Sequence, residues 1–149
     1  MNTRLNFFAA APQAMEIIMT QENYLSQQFD SNKALWELVK LRVSQINQCA
    51  YCIDMHSKDA LAQGEKVERI FGLNAWRDTP LYTELEQNAL QWAELLTSGQ
   101  AISFELYQQA AEAFGDQGLV DLTIAVNAIN SWNRMAKVFK PEVGVYKAI

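Results

Sequence analysis

Helical periodicity recurs along almost the whole chain, and little interrupts it: there are three prolines and six glycines in 149 residues. Met15, Ile18 and Leu25 fall at helical spacing in a segment from Pro12 to Gln28. Ser31 or Asn32 can cap a second segment carrying Leu35, Trp36, Leu38, Val39, Val43 and Ile46. A third runs from Cys49 to Gln63, with Gly64 as its stop, and a short one spans Lys66 to Phe71 before Gly72. Thr79-Pro80 opens the next region, with a proline suited to a first helical turn. Thr83-Glu84-Leu85-Glu86 has the capping-box pattern for a helix reaching Thr97. Ser103 caps a segment through Phe114, ended by Gly115, and a long last helix covers residues 118–139 and stops before Pro141. No stretch alternates as a strand would. The pattern predicts an all-α fold, a bundle of about six or seven helices around one core. The length fits a single domain over residues 1–149.

The balance of half hydrophobic and 19% charged residues is that of an ordinary globular protein. A net charge of −5 argues against nucleic acid and anionic membranes as partners. No apolar run approaches the roughly 18 residues needed to span a bilayer. The start, Met1 to Ala11, has one basic residue and an apolar patch too short for a secretory leader. The expectation is a cytoplasmic protein. In a reducing compartment a cysteine pair is expected to be catalytic, redox-sensing or metal-binding rather than a static cross-link.

Both cysteines and the only histidine lie within eight positions, Cys49-Ala50-Tyr51-Cys52-Ile53-Asp54-Met55-His56. At about 100° per residue, Cys49, Cys52 and His56 share a stripe roughly 60° wide on a helix. Cys52 and His56 are at contact spacing, so the imidazole can take the thiol proton and leave the reactive thiolate. Cys49, one turn back, can close a disulfide onto Cys52. The stripe thus supplies a nucleophile, a base and a resolving thiol. Glu37 joins it on one condition. If the helices before and after Asn47-Gln48 formed one rod, Glu37 would lie about 18 Å from Cys49 along the axis. If the chain reverses there, Glu37 comes within roughly 5 Å of the level of His56. The reversal is expected, with a helix beginning near Cys49, where free amides favour a thiolate.

Glu37, the run to Cys49-Ala50-Tyr51-Cys52, then His56, Ala60 and Gly64 resemble the core of the AhpD-like alkylhydroperoxidases. That family belongs to the carboxymuconolactone decarboxylase superfamily. The motif core covers residues 35–64, and Ala128-Ile129-Asn130-Ser131-Trp132-Asn133-Arg134 looks like the family's C-terminal helix. The resemblance implies a helical subunit assembling into homo-oligomers, as trimers or hexamers. It implies a hydroperoxide substrate and a thiol or dithiol electron donor, with no cofactor. Cys52 matches the peroxidatic nucleophile, Cys49 the resolving thiol, and Glu37 and His56 the proton relay. One branch carries a second histidine where this chain has Tyr51, and a tyrosine of ordinary pKa near 10 is no base at neutral pH. The superfamily's decarboxylases lack the cysteine pair, so the motif does not support decarboxylation.

Other readings of the same residues stay open. The cysteines could be inert core, or bind zinc with His56 and Glu37, although one helical stripe is an unusual source for a whole structural site. Glu37 could be a solvated residue paired with Lys33. Tyr51 reads as pocket wall, and Asp54 with Lys58 as a surface pair. Asn133 and Arg134 could line a subunit interface. The second helix is apolar over most of its circumference, a further reason to expect a homo-oligomer. No nucleotide fingerprint is present, so electrons are not expected from a nicotinamide bound here. The alternative to an enzyme is a redox sensor or binding module that uses the same disulfide to change assembly.

Overall fold

The computed structural model describes residues 3–148. Met1, Asn2 and Ile149 lie outside the described residues, so the opening stretch read above for a leader is covered only from Thr3. The chain is all-α, with no strand among the described residues. In order come α1 (Phe7–Ala10), α2 (Pro12–Gln28), α3 (Lys33–Ile46), α4 (Ala50–Ala62), α5 (Val67–Phe71), α6 (Glu84–Ser98) and α7 (Phe104–Phe139). Short 3-10 turns, Asp30–Asn32 and Leu73–Asp78, join α2 to α3 and follow α5.

The boundaries follow local chemistry. Asn32 caps α3 by accepting from the Leu35 amide, and Thr83 and Glu86 form the reciprocal capping box that starts α6. Gly99 ends α6 in the left-handed region. Gly115, at φ 69° and ψ 170°, breaks α7 into two stretches whose first turn is capped by Ser103. Two expectations need correction. Pro80 is not in a helical first turn; it sits in the turn before α6, because the Thr83 cap sets the start of the helix. The last helix does not begin at Gly118, since the backbone turns helical again directly after Gly115.

α3 is the central helix. Its Leu35, Val39 and Val43 pack with Ala89, Trp92 and Ala93 of α6 and with Leu119, Leu122, Val126 and Ile129 of α7. Another face, Leu38 and Leu41, meets Ala60 of α4, Ile70, Leu73, Trp76, Tyr82 and Leu90. Its circumference is therefore covered by its own chain, and any polar group on it must find partners inside. The reversal between α3 and α4 lies at one end of this core. Gln48 takes φ 53°, a conformation uncommon for a residue with a side chain, and α4 starts two residues later.

Candidate active site

The turn is held from three directions. The Cys49 amide donates to Ser44 O at 3.0 Å, closing the end of α3. Asn47 Nδ2 donates to Asn130 Oδ1 and Asn133 Oδ1 of α7, both at 2.9 Å. Lys137 Nζ, one turn further along α7, donates to Asn47 O at 2.8 Å. Asn133 is fully buried and donates to Ser44 Oγ at 3.0 Å. It lines the thiol site inside the subunit and does not face an interface, whereas Arg134 is exposed. These bonds tie α3, α4 and α7 together where the cysteines emerge.

Cys49 is the N-cap residue of α4, and Cys52 occupies its first turn. Both are free and buried, packed with Ala136 and Tyr51. The neighbouring Cys52 thiol, aided by the Cys52 amide and by the ammonium groups of Lys137 and Lys140, outweighs burial and lowers the Cys49 pKa to about 7. The Cys49 sulfur in turn, followed by burial, drives Cys52 far upward, and the Asn133 amide offsets this only in part. The two sulfurs titrate as one pair that releases a single proton readily.

The reversal brings Glu37 to His56. Glu37 Oε2 accepts from His56 Nδ1 at 3.0 Å, and both side chains are more than nine-tenths buried. The other Glu37 oxygen accepts from Lys40 Nζ at 2.5 Å, and that ammonium also lies over the Trp36 ring, 3.8 Å from its centroid. Burial pushes the Glu37 carboxyl up, but His56 and Lys40 together hold it below its ordinary value. Glu37 is therefore a buried carboxylate with two partners. Lys33, the partner considered from sequence, pairs instead with Asp30 at 2.9 Å. Fixing Nδ1 on a carboxylate leaves Nε2 of His56 as the nitrogen able to exchange a proton. His56 makes no hydrogen bond to Cys52 among the described residues; the spacing of four places them on one side of α4 without joining them.

Further groups surround this pair. Asp59, with Glu37 and His56, completes a cluster whose oxygen and nitrogen atoms lie within 4.8 Å of one another. Its two carboxylates are already engaged, Glu37 by Lys40 and Asp59 by the Tyr146 hydroxyl, which donates to Asp59 Oδ1 at 2.8 Å. Burial, then that bond, raises the Tyr146 pKa to about 12. The cysteines are not part of the cluster, so the four-ligand zinc set considered from sequence is not assembled. The C-terminal segment carrying Tyr146 is strapped to α4: Lys58 Nζ donates to Tyr146 O at 3.0 Å and to Gly144 O at 3.3 Å. Lys58 also pairs with Asp54 at 2.9 Å, as expected. Tyr51 lines a cavity at Cys49, the wall role expected of it. Lys40, Asp59, Asn133 and Tyr146 were not identified as site residues from sequence. Lys40, three residues from Glu37 on one helix, and Asp59, three residues from His56 on another, carried a spacing that could have been used.

Residues 10–95 match the family model described as carboxymuconolactone decarboxylase family. The uncharacterised protein YdfG of Bacillus subtilis (strain 168) is 40% identical over 138 residues, covering 91% of this chain and 93% of that protein. A crystal structure of a protein of unknown function from Agrobacterium tumefaciens, suggested to be the antioxidant defence protein AhpD, superposes with a TM-score of 0.89 at 35% identity. That match covers 97% of this chain and all of the other. An uncharacterised peroxidase-related protein from Silicibacter sp. TM1040 shares the fold, with a TM-score of 0.81 at 21% identity over 93% of this chain and 74% of its own.

Proposed function

The chain belongs to the carboxymuconolactone decarboxylase family, and on that footing we propose that it is a thiol-dependent peroxidase of the AhpD-like kind, reducing hydroperoxides through Cys49 and Cys52. The observation that carries this reading is the pair of free, buried cysteines packed together at the start of α4, and the lowered pKa of Cys49 supports it. A thiolate attacks the terminal peroxide oxygen, the O–O bond breaks, and the sulfur becomes a sulfenic acid while the alkoxide leaves as alcohol. The other thiol condenses with the sulfenic acid, releasing water and forming the Cys49–Cys52 disulfide. An external thiol or dithiol returns two electrons. Glu37 holds His56 by Nδ1, and His56 supplies and accepts protons for Cys52 and the leaving alkoxide through Nε2. His56 and Lys40 together keep Glu37 ionised.

Family correspondence gives the attack to Cys52 and the resolving step to Cys49. The proton held by the pair needs to move only from one sulfur to its neighbour to place the charge on Cys52. A second reading exchanges the roles, and the depressed pKa of Cys49 together with its place on the cavity wall favours it. Dimedone trapping separates them. Label on Cys52 in the Cys49→Ser protein upholds the first; label on Cys49 in Cys52→Ser, with none in the reverse variant, requires the exchange. Steady-state consumption of an organic hydroperoxide with a dithiol donor tests the enzyme itself. Continuous turnover supports a peroxidase, and one equivalent consumed and no more identifies a redox sensor.

A further inference from the structure

A cavity of about 770 Å³ opens beside the thiol pair, and of the two cysteines Cys49 is the one that lines it. Cys52 is not among its walls. Its charged lining is two cations and one anion: Lys137 and Lys140 at the end of α7, and Glu142 on the segment that follows. Lys137 spends one N–H on Asn47 O. Lys140 Nζ makes no hydrogen bond and no ion pair among the described residues. Both ammonium groups also act on the Cys49 sulfur, which places them within electrostatic reach of anything bonded to it.

We propose that this cavity receives the reductant, and that it selects thiols bearing an anionic group such as a carboxylate, paired with Lys137 and Lys140. The proposal rests on the disulfide cycle above, and it holds whichever cysteine meets the peroxide, because the disulfide is the same. The donor thiolate attacks the Cys49 sulfur; the Cys49–Cys52 bond breaks and Cys52 leaves with the electron pair, to be protonated from the His56 side. A mixed disulfide joins the donor to Cys49. A second donor thiolate, from the same dithiol or another molecule, attacks the donor sulfur and Cys49 leaves as thiolate. Two donor thiols become one donor disulfide, and the protein regains two reduced cysteines. The place of Cys49 on the cavity wall directs the first step to it; its low pKa makes it a good leaving group in the second.

The test starts from protein oxidised with diamide, so that no peroxide chemistry is needed to form the disulfide. Reduction rates are compared for 3-mercaptopropionate, 2-mercaptoethanol and cysteamine, each corrected for thiol ionisation and intrinsic thiolate nucleophilicity. At low ionic strength the anionic thiol should lead the neutral one by about three- to tenfold, and the cationic one should trail. The lead should vanish in the Lys137→Gln/Lys140→Gln double variant and in high salt. Lys140→Gln alone, which leaves the Asn47 contact intact, should reduce it. Equal rates for anionic and neutral thiols in the native protein, or a lead that survives the double variant, would overturn the proposal. Hydroperoxide-driven disulfide formation is measured separately, so a failure of the peroxidase reading shows there and not in this comparison.

Discussion

At the scale of single residues, Glu37 carries the most consequence. It is a buried carboxylate with a buried ammonium on one oxygen and an imidazole on the other. Replacing it by alanine strands Lys40, and losing one member of a buried pair costs about 3–5 kcal/mol. Urea denaturation should show that loss, with a smaller one in Glu37→Gln. The sign of the pH effect follows from the carboxyl being held below its ordinary value. Its stabilising contribution is complete above the ordinary carboxylate range and is lost as the pH falls through the depressed value. Acid unfolding should therefore be less steep in Glu37→Gln. Cys49 gives a second prediction. Its alkylation rate should rise with pH about a midpoint of about 7. In Cys52→Ala that midpoint should move upward, because the thiol that stabilises the Cys49 anion is gone. The Glu37–His56 contact was legible from counting residues on either side of a reversal. Lys40 had the right spacing from Glu37, but a lysine on a helix is ordinarily solvated, and only the depth of α3 in the core makes it internal.

At the scale of elements, the α3–α4 reversal does the positioning. Asn47 was a mild breaker in the sequence, and the break could be argued only because Glu37 had no other way to the cysteines. The clamp that enforces it was invisible, since Asn130, Asn133 and Lys137 lie more than eighty residues away on a helix whose periodicity reports packing alone. Tyr146 was hidden for a different reason: the segment after α7 has no regular structure to give it a pattern. The turn can be tested through Gln48. A β-branched residue at φ 53° is strained, so Gln48→Val should cost about 1–2 kcal/mol and slow disulfide formation. An unchanged denaturation midpoint together with native oxidation kinetics would show that the positive φ is not required.

At the scale of the molecule, helix periodicity and punctuation were enough for an all-α fold, because each cap and stop acts locally. They were less informative about assembly. The apolar circumference of α3 suggested a partner subunit, yet α4, α6 and α7 of the same chain cover it. An exposed apolar surface lies elsewhere, around Leu61, Val67 and the 80% exposed Phe71, beside an apolar groove of about 890 Å³. The prediction of a homo-oligomer stands on that surface and on the family. Sedimentation at micromolar concentration should give a multiple of the 16.9 kDa chain, and Phe71→Glu should shift it toward monomer. A monomer in the native protein would remove assembly from the account.

The central claim is that peroxide oxidises the Cys49–Cys52 pair, and a single-turnover measurement on fully reduced protein reaches it most directly. One equivalent of an organic hydroperoxide is added, and intact mass, free thiols and alcohol product are followed together. The account predicts one alcohol formed per chain, both thiols lost, and a mass lower by two hydrogens. The Cys52→Ser and Cys49→Ser proteins should form no intramolecular disulfide. Reduced protein that leaves the hydroperoxide intact and keeps both thiols free would contradict it.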